Sequence, residues 1–202
     1  MDSFLLHNCT LQILSESTIS LCEPINCGNY DLNEFFSHDA IHYTNELLGK
    51  TYLFTLVQNP QKIVCAFTIS NDSIKTFILP NSNKNKLNRP IPNAKRMKSY
   101  PAVLIGRLCV NTEFQDKNIG TELLIFIKAW FVDKGNKTGC RFIIVDSYNE
   151  QKPLQFYKRN GFKELFSSEL EEKEYTCCDT NENLITRLLY FDLISLKETS
   201  CQ

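Results

Sequence analysis

One stretch in the middle of the chain constrains the fold more than any other. Residues 101–110 (PAVLIGRLCV) are apolar and of strand length, and residues 141–145 (RFIIV) form a second such run. Between them, residues 120–133 carry apolar side chains at helical spacing, namely Leu123, Leu124, Ile127, Trp130 and Phe131. Strand, helix and strand in this order predict a βαβ unit with two parallel strands and a right-handed crossover.

The rest of the chain adds strands and short helices on both sides of this unit. The sequence predicts a strand over 9–14, a helix capped by Asn29 or Asp31, and a hairpin of 51–57 and 62–69 that turns at Asn59-Pro60. Residues 80–100 predict an exposed loop with room for a short helix. A helix over 151–159 that Gly161 ends, and a strand over 184–193, complete one predicted α/β domain over 1–202.

Composition excludes several classes of protein. With 43% hydrophobic and 22% charged residues among 202, and only 7 Gly and 7 Pro, the chain is neither disordered nor of low complexity. A net charge of −1 argues against a polyanionic partner, such as a nucleic acid, that contacts the whole protein surface evenly. Residues 73–112, however, contain no acidic residue and these basic ones: Lys75, Lys84, Lys86, Arg89, Lys95, Arg96, Lys98 and Arg107. Because this basic segment can bind phosphate groups, coenzyme A and RNA both remain candidate ligands.

The sequence predicts a cytoplasmic protein that does not enter a membrane. Its first residues lack the basic and apolar regions of a signal peptide, and no run reaches the ~18 apolar residues of a membrane-spanning helix. The cysteine count, nine, is odd, and no C-x-x-C pair occurs. Free, mostly buried thiols are therefore expected.

The polar turn before the central helix predicts an anion site. A helix that begins at residues 119–121 directs backbone N–H groups and the positive end of its dipole toward one point, which suits a pyrophosphate. Gly120 has no Cβ and allows close approach. Neither a P-loop nor a G-x-G-x-x-G fingerprint is present.

Two motifs together identify a family. Gln115-x-x-Asn118-x-Gly120-Thr121 and the later LQFYKRNGF of residues 154–162 resemble the GNAT superfamily of acetyl-coenzyme A-dependent N-acetyltransferases. The coenzyme loop of that family reads Q/R-x-x-G-x-G/A, so Asn118 stands at the first glycine; asparagine tolerates left-handed backbone angles. The resemblance implies an α/β (α+β) fold with a mixed, mostly antiparallel sheet flanked by helices. In it, the parallel strands 102–110 and 141–145 splay apart.

The same resemblance assigns site residues and a reaction. It implies direct transfer of acetyl from acetyl-CoA to a primary amine, with no metal and with Tyr157 as general acid. A phenol with a pKa near 10 matches a thiolate leaving group. The implied cofactor-binding residues are Leu108, Cys109, Val110, Gln115, Asp116, Lys117, Asn118, Ile119, Gly120, Thr121 and Asn149. The resemblance does not identify the general base. Glu113, a chain of water molecules and a reaction without a dedicated base are all left open.

Further residues resemble the toxin-like branch of the superfamily. They are Cys27-Gly28-Asn29-x-x-Leu32-Asn33-x-Phe35-Phe36 with Asp39-Ala40, and PAVLIGRL at 101–108. Toxins of that branch acetylate aminoacyl-tRNA and are neutralised by a small DNA-binding antitoxin, so tRNA and an antitoxin become candidate partners. A different acceptor amine, a homodimer and a GNAT-fold binding module without activity are left open.

A zinc site is the rival from another class. His38-Asp39-Ala40-Ile41-His42 places two histidines at i and i+4, as in the H-E-x-x-H zinc motif. The third histidine of the chain, His7, is far away in sequence. A zinc hydrolase would therefore need a carboxylate or thiol as its third ligand.

Overall fold

The computed structural model describes residues 3–89, 91, 97–176 and 183–198. Their strands are β1 Cys9–Ile13, β2 Lys50–Leu56, β3 Ile63–Lys75, β4 Ser99–Val110, β5 Phe142–Tyr148, β6 Lys163–Glu164 and β7 Thr186–Asp192. The α-helices are α1 Phe4–Asn8, α2 Glu16–Leu21, α3 Tyr30–Glu34, α4 Ala40–Asn45, α5 Asn81–Asn88, α6 Ile119–Val132, α7 Gln151–Arg159, α8 Glu169–Thr176 and α9 Ile194–Glu198. A π-helical segment, Phe35–Asp39, joins α3 to α4, and short 3-10 turns cover Thr76–Ile78 and Thr112–Phe114.

The strands form one mixed sheet in the order β1-β2-β3-β4-β5-β7-β6. β1 and β2, β2 and β3, β5 and β7, and β6 and β7 pair antiparallel. β4 and β5 are neighbours joined by α6, which makes them the parallel pair that the βαβ pattern predicts. The predicted fold class, a mixed sheet flanked by helices, is confirmed. The splaying of the parallel pair stays a prediction.

Most predicted elements occur with shifted ends. The helix over 151–159 has the predicted bounds, and Asn29 caps α3, since its side chain accepts from Leu32 N at 3.1 Å. The strand predicted over 141–145 continues to Tyr148, because Asp146, Ser147 and Tyr148 pair with residues of β7. Pairing with a distant strand is invisible to a local apolar pattern.

The segment 80–100, predicted as an exposed loop with room for a short helix, contains such a helix, α5. Two residues of this helix are buried: Leu87 is 1% exposed, and Asn83 donates from Nδ2 to the Leu165 carbonyl at 2.8 Å. Lys95 and Arg96 of the basic segment lie outside the described residues. In this mostly polar segment, α5 therefore packs against the second unit's core through one apolar side chain, Leu87, and one amide side chain, Asn83.

The chain divides into two compact units, 1–71 with 105–130 and 72–104 with 131–202. A single domain over 1–202 stays a prediction.

The first unit has an aromatic and aliphatic core. Tyr52 stacks on Phe67 with ring centroids 5.3 Å apart, and the Trp130 ring of α6 packs edge-on against Tyr52 at 5.0 Å. Within the sheet, the hydroxyls of Thr51 and Thr68 hydrogen bond to each other at 2.7 Å. These contacts hold α6 on the face of the β2–β3 hairpin.

The second unit has its own core around β5. Phe142 is fully buried and makes edge contacts with Tyr100 and Tyr190, both at 5.9 Å between centroids. The buried side chains of this cluster are Ile74, Leu79, Leu87, Tyr100, Ala102, Phe142, Ile144, Leu165, Phe166 and Tyr190. Since β4 contributes Tyr100 and Ala102, its first half belongs to this core.

A buried ion pair ties α8 to β7 within the second unit. Glu172 is 3% exposed and Arg187 is 8% exposed, and Arg187 Nε donates to Glu172 Oε2 at 2.6 Å. Glu172 also accepts from the backbone N–H of Leu188. Burial raises the pKa of the Glu172 carboxyl, and Arg187 opposes that shift. The two partners therefore favour the ionised carboxylate, whereas burial disfavours it.

None of the described helices is long and apolar enough to cross a membrane.

Removal of Arg187 is expected to destabilise the protein in a pH-dependent way. Arg187→Leu leaves Glu172 buried without its cation, so the free energy of unfolding at pH 8 falls by about 3–5 kcal/mol. The loss is smaller at pH 5, because an unpaired buried carboxyl has a raised pKa and becomes neutral there. Urea denaturation of the variant and of the unmodified protein at both pH values measures this loss in the free energy of unfolding.

The matched control is Arg159→Leu, which removes an exposed arginine of α7. It is expected to change the free energy of unfolding by less than about 0.5 kcal/mol at either pH. An equal loss for Arg187→Leu at pH 5 and pH 8 would contradict the role assigned to Glu172.

Candidate functional site

The site in the first unit begins where β4 ends, at Asn111. This residue is 4% exposed and bonds to β3 twice, from its backbone N–H to the Val64 carbonyl at 2.9 Å and from Nδ2 to the Ile63 carbonyl at 3.1 Å. Its Oδ1 accepts from Glu113 N at 3.3 Å. Asn111 thus fixes the point from which the loop departs; the sequence analysis did not single it out.

Gln115 anchors the loop to two other segments. Its Nε2 donates to the Cys27 carbonyl at 2.9 Å and to the Val110 carbonyl at 3.0 Å. Thr112 N donates to the Asn26 carbonyl at 2.8 Å, so the loop is bound to the 26–27 segment at two points. The side chain of Gln115 is therefore used to shape the loop.

Two residues of the loop adopt left-handed backbone angles. Asn118 has φ +63° and Asp116 has φ +58°. The expectation that Asn118 could replace the first glycine of the motif agrees with this geometry, because asparagine is tolerated there. The conformation of Asp116 was not anticipated.

Successive N–H groups of the loop have no acceptor among the described residues. The backbone N–H groups of residues 116–120 make no hydrogen bond to any described residue, whereas those of Thr121 and Glu122 donate to the Asn118 carbonyl, both at 3.1 Å. Residues 116–118 are exposed, and α6, which follows, is 14 residues long. Consecutive free N–H groups at a helix start form an anion-binding concavity.

Charged side chains border this concavity. Lys117 donates from Nζ to the Glu113 carbonyl at 2.8 Å and lies 5.6 Å from the Phe114 ring centroid. Glu113 forms an ion pair with Lys62, which also binds Glu23 at 3.2 Å. The carboxylate of Glu113, one candidate for the base, is therefore engaged by the ammonium group of Lys62.

Two cysteines belong to the core near the end of β4. Cys109 is 3% exposed, and partly exposed Cys27 packs against the same core cluster. The pKa of Cys27 is lowered to about 6, chiefly because Cys109 can donate a hydrogen bond to its thiolate. Burial acts in the opposite sense. The Cys27 thiol also lies 3.2 Å from Asn33 Oδ1. Burial raises the pKa of Cys109 well above the ordinary value.

In the second unit, Tyr157 is positioned by the end of α7. Phe162 N donates to the Tyr157 carbonyl at 3.1 Å and Gly161 N to the Lys158 carbonyl at 3.0 Å, with Gly161 at φ +81°. This is a Schellman motif, and its expected apolar contact is present between the Tyr157 and Phe162 rings at 5.4 Å. The predicted role of Gly161 as the residue after the helix end agrees with this geometry.

The hydroxyl of Tyr157 has no hydrogen-bond partner among the described residues, while its ring also contacts Phe156 at 5.1 Å. Burial raises the pKa of this phenol well above its ordinary value. It therefore stays protonated and able to donate throughout the physiological pH range.

Asn149 follows β5 directly and is used within the second unit. Its Nδ2 donates to Glu169 Oε1 at 2.9 Å and to the Leu184 carbonyl at 3.0 Å, and its backbone N–H donates to the Ile185 carbonyl at 2.9 Å. These bonds fix the segment that leads into β7. A contact between Asn149 and the cofactor stays a prediction.

The sequence-predicted site residues thus fall into two groups. Those from Leu108 to Thr121 lie together in the first unit, at the end of β4 and the start of α6. Asn149 and Tyr157 lie in the second unit.

The histidine pair does not form a metal centre with other described residues. His38 lies in the π-helical segment, and its Nδ1 is 3.4 Å from Glu34 Oε2. Across residues 3–89, 91, 97–176 and 183–198, no group of three His, Cys, Asp or Glu side chains could hold a metal ion. The zinc-hydrolase alternative therefore gains no support there.

The family profile described as "Acetyltransferase (GNAT) domain" matches residues 89–164. Residues 89–164 belong to a GNAT acetyltransferase domain. The matched range contains the whole β4–α6–β5–α7 succession and, with it, every sequence-predicted site residue. The recognition of this superfamily from the sequence, and with it the expectation of an N-acetyltransferase, is confirmed.

Solved structures share the GNAT fold of the chain over nearly its whole length. A crystal structure of a KacT mutant is 18% identical, covers 96% of this chain and 99% of its own, and has a TM-score of 0.69. AtaT complexed with acetyl-methionyl-tRNAfMet is 19% identical with the same coverages and TM-score. AtaTR bound with AcCoA is 18% identical, covers 96% and 98%, and has a TM-score of 0.61. No curated protein matches the sequence.

The left-handed angle at Asn118 generates a prediction for the GNAT loop. Asn118→Val places a β-branched residue at φ +63°, which costs about 1–2 kcal/mol and disturbs the neighbouring N–H groups. We expect a thermal midpoint lower by roughly 2–6 °C and weaker acetyl-CoA binding, measured by calorimetry.

Asn118→Gly serves as the control, because glycine adopts this angle without strain. It is expected to keep both the midpoint and the affinity near those of the unmodified protein. If the valine and glycine variants bind acetyl-CoA equally well, the loop angle does not matter for binding.

Proposed function

We propose that the chain is a cytoplasmic N-acetyltransferase that moves the acetyl group of acetyl-CoA directly to a primary amine, with Tyr157 as general acid. The observation that carries this proposal is the run of free N–H groups at 116–120, which suits the pyrophosphate of coenzyme A. A reducing compartment fits the described cysteines, all six of which are free thiols: Cys9, Cys22, Cys27, Cys65, Cys109 and Cys140.

In the proposed reaction, the lone pair of the neutral amine attacks the thioester carbonyl. The C–N bond forms, the C–S bond breaks, and the electron pair of the latter leaves with sulfur. Tyr157 donates its hydroxyl proton to that sulfur, and the proton lost by the amine restores the phenol, so that the thiol of coenzyme A gains one proton overall. Because Glu113 is paired with Lys62, this scheme assigns it no role as base.

The backbone supplies the remaining binding groups in this proposal. Leu108 and Val110 offer main-chain polar groups at the end of β4, while Cys109 between them is turned into the core. Gln115 acts by shaping the loop, since its amide already binds two carbonyls. Lys117, at the rim of the concavity, adds positive charge beside the anion.

The role of Tyr157 can be tested by removing one oxygen atom. Tyr157→Phe keeps the ring contacts with Phe156 and Phe162 but cannot donate to the leaving sulfur. We expect turnover to fall by about 10²–10⁴-fold, with the affinity for acetyl-CoA changed less than twofold. Steady-state kinetics and calorimetry measure the two quantities.

Tyr30→Phe is the matched control, because Tyr30 is 80% exposed. It is expected to leave turnover unchanged. Full activity of Tyr157→Phe would remove the assignment of Tyr157, and undetectable acetyl-CoA binding by the unmodified chain would favour a GNAT-fold binding module instead.

A second candidate is acetylation of aminoacyl-tRNA, with an antitoxin as protein partner. One structural neighbour, AtaT, is complexed with acetyl-methionyl-tRNAfMet, and an AtaT mutant toxin is bound to the C-terminus of the antitoxin AtaR. In the second unit of this chain, exposed basic side chains occur on and around α5, at Lys75, Lys86, Arg89 and Lys98. A transfer assay over polyamines, amino acids, peptides and charged tRNAs separates this acceptor from small amines.

Charge reversal on α5 distinguishes the two acceptors. If tRNA is the substrate, Lys86→Glu with Arg89→Glu removes phosphate contacts, so tRNA acetylation falls at least tenfold and its salt dependence becomes shallower. Acetylation of a small amine is expected to stay within twofold. Initial rates at several salt concentrations measure both.

Lys134→Glu with Lys137→Glu makes the same charge change at exposed positions after α6. This control is expected to preserve tRNA acetylation. A tRNA rate that is insensitive to the α5 reversal contradicts an RNA contact there.

A further inference from the structure

The carboxylate of Glu122 is engaged by the helix at the start of the chain. Glu122 lies in the first turn of α6, directly after the segment of residues 115–121 (the coenzyme loop). Its Oε2 accepts two hydrogen bonds from the start of α1, from Ser3 Oγ at 2.9 Å and from Leu5 N at 3.0 Å. Both donors thus converge on one carboxylate oxygen. The proposed acetyl transfer assigns no role to this contact.

An aromatic contact joins α1 to the other end of the coenzyme loop. The rings of Phe4 and of Phe114, the residue directly before the loop, have centroids 6.1 Å apart. Phe114 in turn contacts Lys117 of the loop, whose Nζ lies 5.6 Å from the ring centroid. The helix α1 therefore contacts the chain immediately before and immediately after the coenzyme loop.

The helix α1 is itself fixed within the first unit. Leu5 is 1% exposed, and at the end of the helix the Asn8 carbonyl accepts from Val57 N at 2.9 Å. Ser3 caps the start of the helix, since its Oγ accepts from Leu6 N at 3.4 Å. β1 follows α1 directly and pairs with β2 along its whole length. A helix held at both ends can support the loop that it contacts.

The coenzyme loop needs support from outside. Asp116 and Asn118 have left-handed backbone angles, and the N–H groups of residues 116–120 make no hydrogen bond to any described residue. A residue other than glycine keeps such an angle only where its surroundings fix it. Gln115 provides one set of anchors through the two carbonyls that it binds. The contacts with α1 provide a second set.

We propose that α1 is a brace that positions the coenzyme loop for acetyl-CoA, with Ser3, Phe4 and Glu122 as its positioning residues. Because both ends of the loop are anchored, its free N–H groups keep their direction before the ligand arrives, and less conformational freedom is lost on binding. The brace also holds the Glu122 carboxylate, an anion that would otherwise compete with the pyrophosphate for the start of α6. This role rests on the proposed function, since it concerns the binding of acetyl-CoA.

Two substitutions of Glu122 test the contact on the side of α6. Glu122→Ala removes the acceptor of both hydrogen bonds, so calorimetry is expected to show about five- to tenfold weaker binding of acetyl-CoA. Glu122→Gln keeps one carbonyl oxygen that can accept from both donors, and its affinity is expected to stay within about twofold of that of the unmodified protein. Glu16→Ala removes an exposed glutamate from the first turn of α2 and is the control, with no change expected.

Substitutions of Ser3 test the same contact on the side of α1. Ser3→Asp keeps a side chain that can cap the helix but sets a second carboxylate against that of Glu122, so acetyl-CoA binding is expected to weaken about fivefold or more. Ser3→Thr keeps both the cap and the hydroxyl donor and is expected to bind normally. Adding Glu122→Gln to Ser3→Asp removes the repulsion, and the affinity is expected to recover.

The aromatic contact is tested at Phe4. Phe4→Ala removes the ring that packs on Phe114, so the affinity for acetyl-CoA is expected to fall by about two- to tenfold. Leu6→Ala removes an apolar side chain of the same helix that is 65% exposed, and it is expected to leave the affinity unchanged.

Hydrogen exchange of the protein without ligand measures the brace independently of acetyl-CoA. The amides of Thr121 and Glu122 donate to the Asn118 carbonyl. They are expected to exchange about fivefold or more faster in Ser3→Asp, in which the loop sequence is unchanged, and at the unmodified rate in Ser3→Thr.

The outcomes separate the brace from the proposed function. Faster exchange in Ser3→Asp, without any acetyl-CoA binding by the unmodified protein, would contradict the proposed function and leave the brace established. Unchanged exchange in Ser3→Asp would overturn the brace. Faster exchange with unchanged affinity, or an equal loss of affinity in Glu122→Ala and Glu122→Gln, would overturn its role in positioning the loop for acetyl-CoA.

Discussion

The arrangement of the candidate site depends on one constraint, the need of backbone N–H groups for acceptors. Where β4 ends and α6 begins, residues 116–120 have none among the described residues, and an anion can supply them. The surrounding contacts hold this loop open: Asn111 binds β3, Gln115 binds two carbonyls, and buried Ile119 anchors the start of α6 in the core. Since residues 116–118 are exposed, the free N–H groups are accessible to solvent and to ligand alike.

Much of the fold could be predicted because its signals are local. The apolar run that became β4, the helical spacing of α6, and Gly161 after α7 each specify a structure within a few residues. Two of the helices that were not predicted, α1 and α8, depend on distant partners. α1 is short, and its start is held by Glu122, which accepts from Ser3 Oγ at 2.9 Å and from Leu5 N at 3.0 Å. α8 is rich in glutamate and is held by the buried contact of Glu172 with Arg187.

The candidate site divides in the same way. The loop and Tyr157 were predicted because a motif of fixed spacing carries them, and the angle at Asn118 agrees with the tolerance expected of asparagine. The amide of Asn111, by contrast, bonds to a carbonyl 48 positions away in the chain, and no rule of local spacing predicts this contact. Asn149 was predicted as a cofactor-binding residue, but its amide donates to Glu169 and to the Leu184 carbonyl, in the segment before β7.

The environment of Tyr157 sharpens what a general acid can do in the proposed reaction. Sequence reasoning matched a phenol of ordinary pKa to a thiolate of similar basicity, but burial raises the pKa of this phenol well above that value. Complete proton transfer to sulfur is then less favourable, whereas a hydrogen bond to the developing thiolate gains strength in a site of low polarity. Tyr157 would therefore stabilise the charge on sulfur as the C–S bond breaks, before its proton is transferred, and the proton lost by the attacking amine would restore the phenol. Because the Schellman motif fixes the carbonyl and the ring of Tyr157, this donor is oriented before any substrate arrives.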